Sequence, residues 1–165
     1  MNCKAKAEGK GSAFVEGKVE NLTSSSTYFY IFGKKNNFLG VILMVSFFAV
    51  FIGGGFGSLC RYATGLLAKM LFGNAFPLGT LFVNLLGCFA IGYLNARFER
   101  IFATQEIRDL CIAGMLGGFT TFSAFGFETM NLFRSGSNTA AILNILLNVV
   151  LGILLAYAGF CLGRK

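Results

Sequence analysis

The residues that could do chemistry gather in one run, Gly114-Met115-Leu116-Gly117-Gly118-Phe119-Thr120-Thr121-Phe122-Ser123-Ala124-Phe125-Gly126-Phe127-Glu128. The run sits in an apolar segment, yet it holds two adjacent glycines, two adjacent threonines, a serine between phenylalanines at i, i+3, and a closing carboxylate. Glycine is a poor helix former, and the order Gly-Gly-x-Thr-Thr favours a break. A broken helix is tolerated in hydrocarbon only where protein or a wet cavity satisfies the freed backbone groups. Carbonyls freed at Gly117–Thr120 would arrive twice at the axis of a small two-fold dimer, where they could coordinate one hard cation such as Na⁺. Phe122 and Phe125 share a helical face, and an aromatic ring is electropositive at its edge, so an anion can approach there while a cation prefers the face.

Neutral donors accompany these rings: Asn84, Thr120, Thr121, Ser123, Asn144 and Asn148. Such a lining suits a small, strongly hydrated anion, whose water must be replaced by many weak positive ends without trapping it. Each residue also has a plainer reading. A Phe pair at i, i+3 is ordinarily core packing, although the intervening Ser123 favours a site. Asn84 lies among Leu, Phe and Val, and a buried amide there either bonds a neighbouring helix or donates to a passing anion. Asn144 and Asn148, at i, i+4, form either a polar track or an inter-helix hydrogen-bonding pair. Arg61 is either a snorkelling anchor or a cation at the mouth of an anion path. Glu128 reads as a capping or interfacial carboxylate.

Other chemistry is poorly supplied. The chain has no histidine, and its five cysteines, Cys3, Cys60, Cys88, Cys111 and Cys161, show no C-x-x-C spacing. They read as small buried hydrophobes. No nucleophile–base pair, metal-ligand cluster or phosphate-cradling loop stands in the sequence, so an enzyme is not expected.

The elements that must hold these residues are membrane helices. Of 165 residues 55% are hydrophobic and only 13% charged, against about 25% charged in ordinary soluble domains. The class is all-α integral membrane, in one domain. Apolar runs at 38–59 (continuing, on one reading, to 71), 78–94, 110–127 and 140–162 approach the roughly 20 residues that cross a bilayer. The Gly53-Gly54-Gly55-Phe56-Gly57-Ser58 stretch in the first reads as a helix-packing face. Residues 1–37 are polar and rich in Lys and Ser, and are expected to be a disordered tail. The mixed charges of 95–109 suggest the longest polar connection.

The net charge of +7 fits membrane topology and anionic lipid better than nucleic acid, because no basic–aromatic patch is present. With both ends inside, eleven Lys and Arg residues fall inside and three (Arg61, Lys69, Arg134) outside. Without the tail lysines the inside count drops to five. A four-span unit so weakly instructed could insert both ways and pair antiparallel with itself.

Three motifs in order, Gly53-Gly54-Gly55-Phe56-Gly57-Ser58-Leu59-Cys60-Arg61-Tyr62, then Pro77-Leu78-Gly79-Thr80-Leu81-Phe82-Val83-Asn84, then Gly117-Gly118-Phe119-Thr120-Thr121-Phe122-Ser123-Ala124-Phe125 with Glu128, resemble the CrcB/Fluc family of fluoride channels. The resemblance covers about 38–165 and excludes the tail. It implies a dual-topology antiparallel homodimer in the bacterial cell membrane, with two fluoride pores and a structural Na⁺ at the dimer interface, that exports fluoride passively. It also implies that Gly117 and Thr120 give carbonyls to Na⁺, that Phe122 and Phe125 are the pore rings with Ser123 beside them, that Asn84 is a pore donor and that Arg61 is the vestibule cation. Ala124 stands where many members have Thr, and Asn144 and Asn148 fall roughly where a Tyr/Ser track is common. The rival expectation is a small four-span proton-coupled exporter, which needs a mid-membrane carboxylate; Glu128 is the one candidate.

Overall fold

The structure, a computed structural model, describes the backbone of residues 11–165 and the side chains from Gly40 onward, Ile42 excepted. The described residues form helices and turns only: α1 (Gly11–Phe72), α2 (Leu78–Arg100), α3 (Gln105–Arg108), a π-helical segment (Asp109–Leu116), the single turn α4 (Gly117–Phe119), α5 (Phe122–Arg134), α6 (Asn138–Leu146), a second π-helical segment (Leu147–Leu151) and α7 (Gly152–Gly163). Four stretches are long and apolar enough to cross a membrane: Leu43–Phe72, Leu78–Arg100, Gln105–Arg134 and Asn138–Gly163. The protein is therefore a four-span, all-α membrane protein, and its third span is interrupted at Thr120–Thr121.

Several boundaries differ from those expected, the third span running on to Arg134 and the fourth starting at Asn138. Of the stretch expected as a disordered tail, 1–10 lie outside the described residues and 11–37 have helical backbone. The polar connection expected over 95–109 shrinks to 101–104, since α2 runs on to Arg100 and α3 starts at Gln105. Burial explains the longer α2: Ala96 and Phe98 are both buried, so the mixed-charge run has a packed side that keeps it helical. Phe102, with φ 50°, makes the reversal.

Residues 45–165 form one compact unit. Lipid is as apolar as leucine, so close backbone contact rather than hydrophobic burial holds spans together. The glycines supply that contact. A Cβ at Gly53 would meet the Leu110 carbonyl, one at Gly57 the Met115 carbonyl, and one at Gly118 the Gly54 carbonyl, so the first span lies backbone to backbone against the third. The packing face read at 53–58 is real. On the other side α2 lies against α7, with Gly92 against the Ala156 carbonyl and Gly159 against the Phe89 carbonyl. We expect Gly159→Val to force these two helices apart at a cost of about 3 kcal/mol. A lowered thermal midpoint in detergent checks this, and an unchanged midpoint refutes it.

Candidate functional site: the break in the third span

Thr120 (φ −82°, ψ 158°) and Thr121 (φ −152°, ψ 119°) are extended, between helical Phe119 and helical Phe122. The break falls just past the glycines: Gly117 and Gly118 remain in α4. Thr121 restarts the helix as its N-cap, its Oγ1 accepting from the Ala124 N–H at 3.2 Å. That bond diverts the donor which in a continuous helix would reach the Thr120 carbonyl. The Thr121 N–H is likewise diverted, donating to Asn84 Oδ1 at 2.9 Å, so the Gly117 carbonyl lacks its helical partner.

The surroundings repair the break in part. Arg61 Nη1 donates to the Thr120 carbonyl at 3.3 Å. Asn84 Nδ2 donates to the Thr121 carbonyl at 3.1 Å. Thr120 Oγ1 turns back to the Leu116 carbonyl at 3.0 Å, and its methyl sits where Gly87 has no Cβ. Each partner has a positional reason. Gly87 lets α2 approach the extended threonines, which brings Asn84 within reach. Gly53 and Gly57 bring the first span close enough for Arg61.

A cavity of about 330 Å³ opens at this point, and its lining includes Asn84, Gly117, Thr120, Phe122, Phe125 and Asn148. The structure thus brings together most of the residues singled out in the sequence. The Phe122 and Phe125 rings lie 5.4 Å apart between centroids, tilted by 55°. Phe125 is buried, while Phe122 is 81% exposed. Ser123 is exposed and its hydroxyl lies 3.3 Å from Thr121 Oγ1. Arg61 is half-buried and touches the site through the Thr120 carbonyl.

Asn144 and Asn148 meet different fates. Asn148 lines the cavity; Asn144 is buried behind it and donates from Nδ2 to Thr129 Oγ1 at 2.9 Å. The second π-helical segment holds Asn148, and π turns are frequent at functional positions. Thr129 was not anticipated from the sequence. A lone threonine one turn after Phe125 carries no motif, and its only advance signal is the i+4 spacing from Phe125.

Glu128 lies apart, in a second cavity of about 600 Å³ whose lining includes Lys69, Thr80, Asn131 and Ser137. Thr80 Oγ1 donates to its Oε1 at 2.8 Å, and its Oε2 is buried without a hydrogen-bond partner. Among the described residues no three His, Cys, Asp or Glu side chains cluster to hold a metal. The oxygens the break offers are backbone carbonyls and the Thr120 and Thr121 hydroxyls.

Comparison with known proteins places the sequence in a family. The model of the family described as "CrcB-like protein, Camphor Resistance (CrcB)" matches residues 48–160. The chain is 45% identical over 116 residues, 70% of its length and 94% of the relative's, to a protein of Magnetococcus marinus named fluoride-specific ion channel FluC. It is 43% identical over 122 residues, 73% of its length and 98% of the relative's, to a Rhizobium etli protein of the same name. A third protein so named, from Dehalococcoides mccartyi, is 40% identical over 126 residues, 76% of this chain and 93% of its own. With more than half its length inside the family match, the interrupted four-span chain belongs to the CrcB-like family.

Proposed function

We propose that the chain is a fluoride-specific ion channel of the bacterial plasma membrane that lets fluoride leave the cytoplasm passively. The observation that carries this reading is the break at Thr120–Thr121, which sets freed carbonyls and a paired phenylalanine face on one cavity. The names of the relatives, fluoride-specific ion channel, support it. Hydrogen fluoride enters cells neutral and ionises inside, so a selective leak drains the trapped anion.

The working unit is an antiparallel, dual-topology homodimer of the 38–165 domain, with 1–37 as a basic extension. The exposed apolar faces of the single chain suit lipid and a second copy. A structural Na⁺ would sit at the axis of that dimer. The Gly117 carbonyl has lost its helical donor, and the Thr120 carbonyl is left to Arg61 alone. Hard cations prefer such oxygens. One chain offers two of them, too few for a coordination shell, and a two-fold partner doubles the set. The ion would supply fixed positive charge at the dimer axis. Phe122 and Phe125 present ring edges to the anion, with Ser123 beside them, and Arg61 supplies positive potential at the vestibule. Asn84 serves the anion path chiefly by holding the Thr121 backbone in its extended form, since its Nδ2 already serves two acceptors.

Liposomes loaded with fluoride or chloride and followed with ion electrodes test the reading. Fast fluoride efflux with no chloride efflux, in the absence of a proton gradient, is expected. Flux that needs a pH gradient would instead mark Glu128 as a proton carrier in an exporter, and no fluoride flux would sink the channel. Removal of Na⁺ provides a second check. Exchange of Na⁺ for N-methylglucamine is expected to lower dimer stability by about 2–3 kcal/mol, the linkage expected when the ion had been present at about a hundred times its dissociation constant. A thermal midpoint indifferent to Na⁺ would remove the ion from the reading.

A further inference from the structure

We propose that Asn84, Asn148, Asn144 and Thr129 form one directional hydrogen-bonded clamp that fixes α5, the helix of the two phenylalanines, against α2 and α6. Asn144 and Thr129 are then positioning residues of the channel, not ligands of the anion. This inference rests on the channel reading above and deepens it.

The bonds run in a single sense. The Thr121 N–H donates to Asn84 Oδ1 at 2.9 Å. Asn84 Nδ2 donates to Asn148 Oδ1 at 2.9 Å, and Asn148 Nδ2 to Asn144 Oδ1 at 3.0 Å. Asn144 Nδ2 donates to Thr129 Oγ1 at 2.9 Å, and that hydroxyl donates to the Phe125 carbonyl at 2.7 Å. The sense is not arbitrary. A backbone N–H can only donate, so the Asn84 oxygen must face Thr121 and its NH₂ must face Asn148. The same logic orients Asn148, then Asn144, and leaves the Thr129 hydroxyl no proton-accepting role except toward Asn144. A backbone carbonyl, which can only accept, closes the far end. Both ends of the path are backbone groups of one segment: Thr121 is the N-cap of α5 and Phe125 lies in its first turn. The path leaves α5, visits α2, the second π-helical segment and α6, and returns to α5, bracketing Phe122 and Phe125.

Two further facts separate positioning from ligation. Asn144 is 1% exposed and Thr129 7% exposed, and neither lines the cavity beside the phenylalanines. The nitrogens of Asn84 and Asn148 are also fully engaged, the second bond of each going to a backbone carbonyl (Thr121 at 3.1 Å, Asn144 at 3.0 Å). An anion that took one of these hydrogens would have to break a link of the path or one of these backbone bonds. Channel linings tolerate little displacement, because a shift of about an ångström in a positioned group can cost orders of magnitude in rate.

The test compares fluoride efflux per folded channel for wild type, Thr129→Val, Thr129→Ser, Asn144→Leu and the Thr129→Val/Asn144→Leu double variant. Valine keeps the shape of threonine and removes only the hydroxyl. Thr129→Val is expected to lower flux about tenfold, and Thr129→Ser to stay within about twofold of wild type. The double variant is expected to match Asn144→Leu alone, since a path cut once is not cut further. Wild-type flux in Thr129→Val, or losses that multiply in the double variant, would overturn the clamp while leaving the channel standing. Absence of fluoride flux in the wild type overturns both. Should the valine variant fail to fold, hydrogen exchange of the Asn144 side-chain amide in the intact wild-type protein decides: slow exchange supports the clamp and fast exchange overturns it.

Discussion

Phe122→Ile is expected to cut fluoride efflux from loaded liposomes at least about 30-fold without unfolding the protein. Fluoride holds its water tightly, so a passage that strips the water must offer replacements. Isoleucine keeps the apolar bulk and removes the ring quadrupole, and with it the electropositive edge. If that edge contributes about 2 kcal/mol to lowering the barrier, its loss corresponds to about 30-fold in rate. The choice of Phe122 over Phe125 follows from burial. Phe122 is 81% exposed in the single chain, so it contributes little to packing there, whereas Phe125 is buried and its replacement would mix lost packing with lost electrostatics. Ordinary core packing therefore predicts almost no effect at Phe122 within the chain. Retention of wild-type flux in reconstituted Phe122→Ile, at matched amounts of folded protein, would refute the ring-edge role.

Much of this was legible in the sequence, for identifiable reasons. The four spans follow from uninterrupted apolar length, a signal that hydrocarbon makes nearly unambiguous. The interruption of the third span is signalled by glycines and threonines in a segment that must otherwise be helical, although the glycines themselves stay helical. The stripe at 53–58 follows from small-residue spacing, and it does meet a neighbouring backbone. What stayed hidden depends on contacts between distant segments. The π-helical turns at 109–116 and 147–151 have no residue signature of their own. The partners of Asn84 could not be chosen from sequence, because either a helix or an anion satisfies an amide. Its bonds to the Thr121 backbone and Asn148 show the inter-helix alternative in place. The sequence understates the extent of α2 because charge density at 95–100 masks two buried positions, Ala96 and Phe98.

Of the two glycines before the break, Gly118 owes its place to close packing rather than to helix aversion. The pair's composition predicts a break at the glycines, yet both residues are helical and the chain departs only at Thr120. Gly118 is needed for space. A Cβ there would meet the Gly54 carbonyl oxygen, with the Gly54 Cα at 3.0 Å and carbonyl carbon at 3.1 Å, so every obstructing atom is backbone and none can rotate away. Gly118→Val must push the first and third spans apart. The displacement pulls Arg61 from the Thr120 carbonyl, which it now reaches at only 3.3 Å, and leaves a carbonyl of the break without its donor. Overpacking of this kind costs about 3 kcal/mol, and the lost hydrogen bond to the half-buried Thr120 carbonyl adds about 1 kcal/mol more. A sum of that size approaches the whole stability of a small domain, so little folded protein is expected on size exclusion. Gly126 supplies the contrast eight residues on in the same span. A Cβ there meets nothing within 4 Å, so Gly126→Ala is expected to fold at wild-type yield and gain about 0.5–1 kcal/mol of helix stability. If helix propensity were the reason for the glycines, both substitutions would stabilise. If backbone approach is the reason at Gly118, they act in opposite directions, and parallel behaviour of the two variants would refute the packing account.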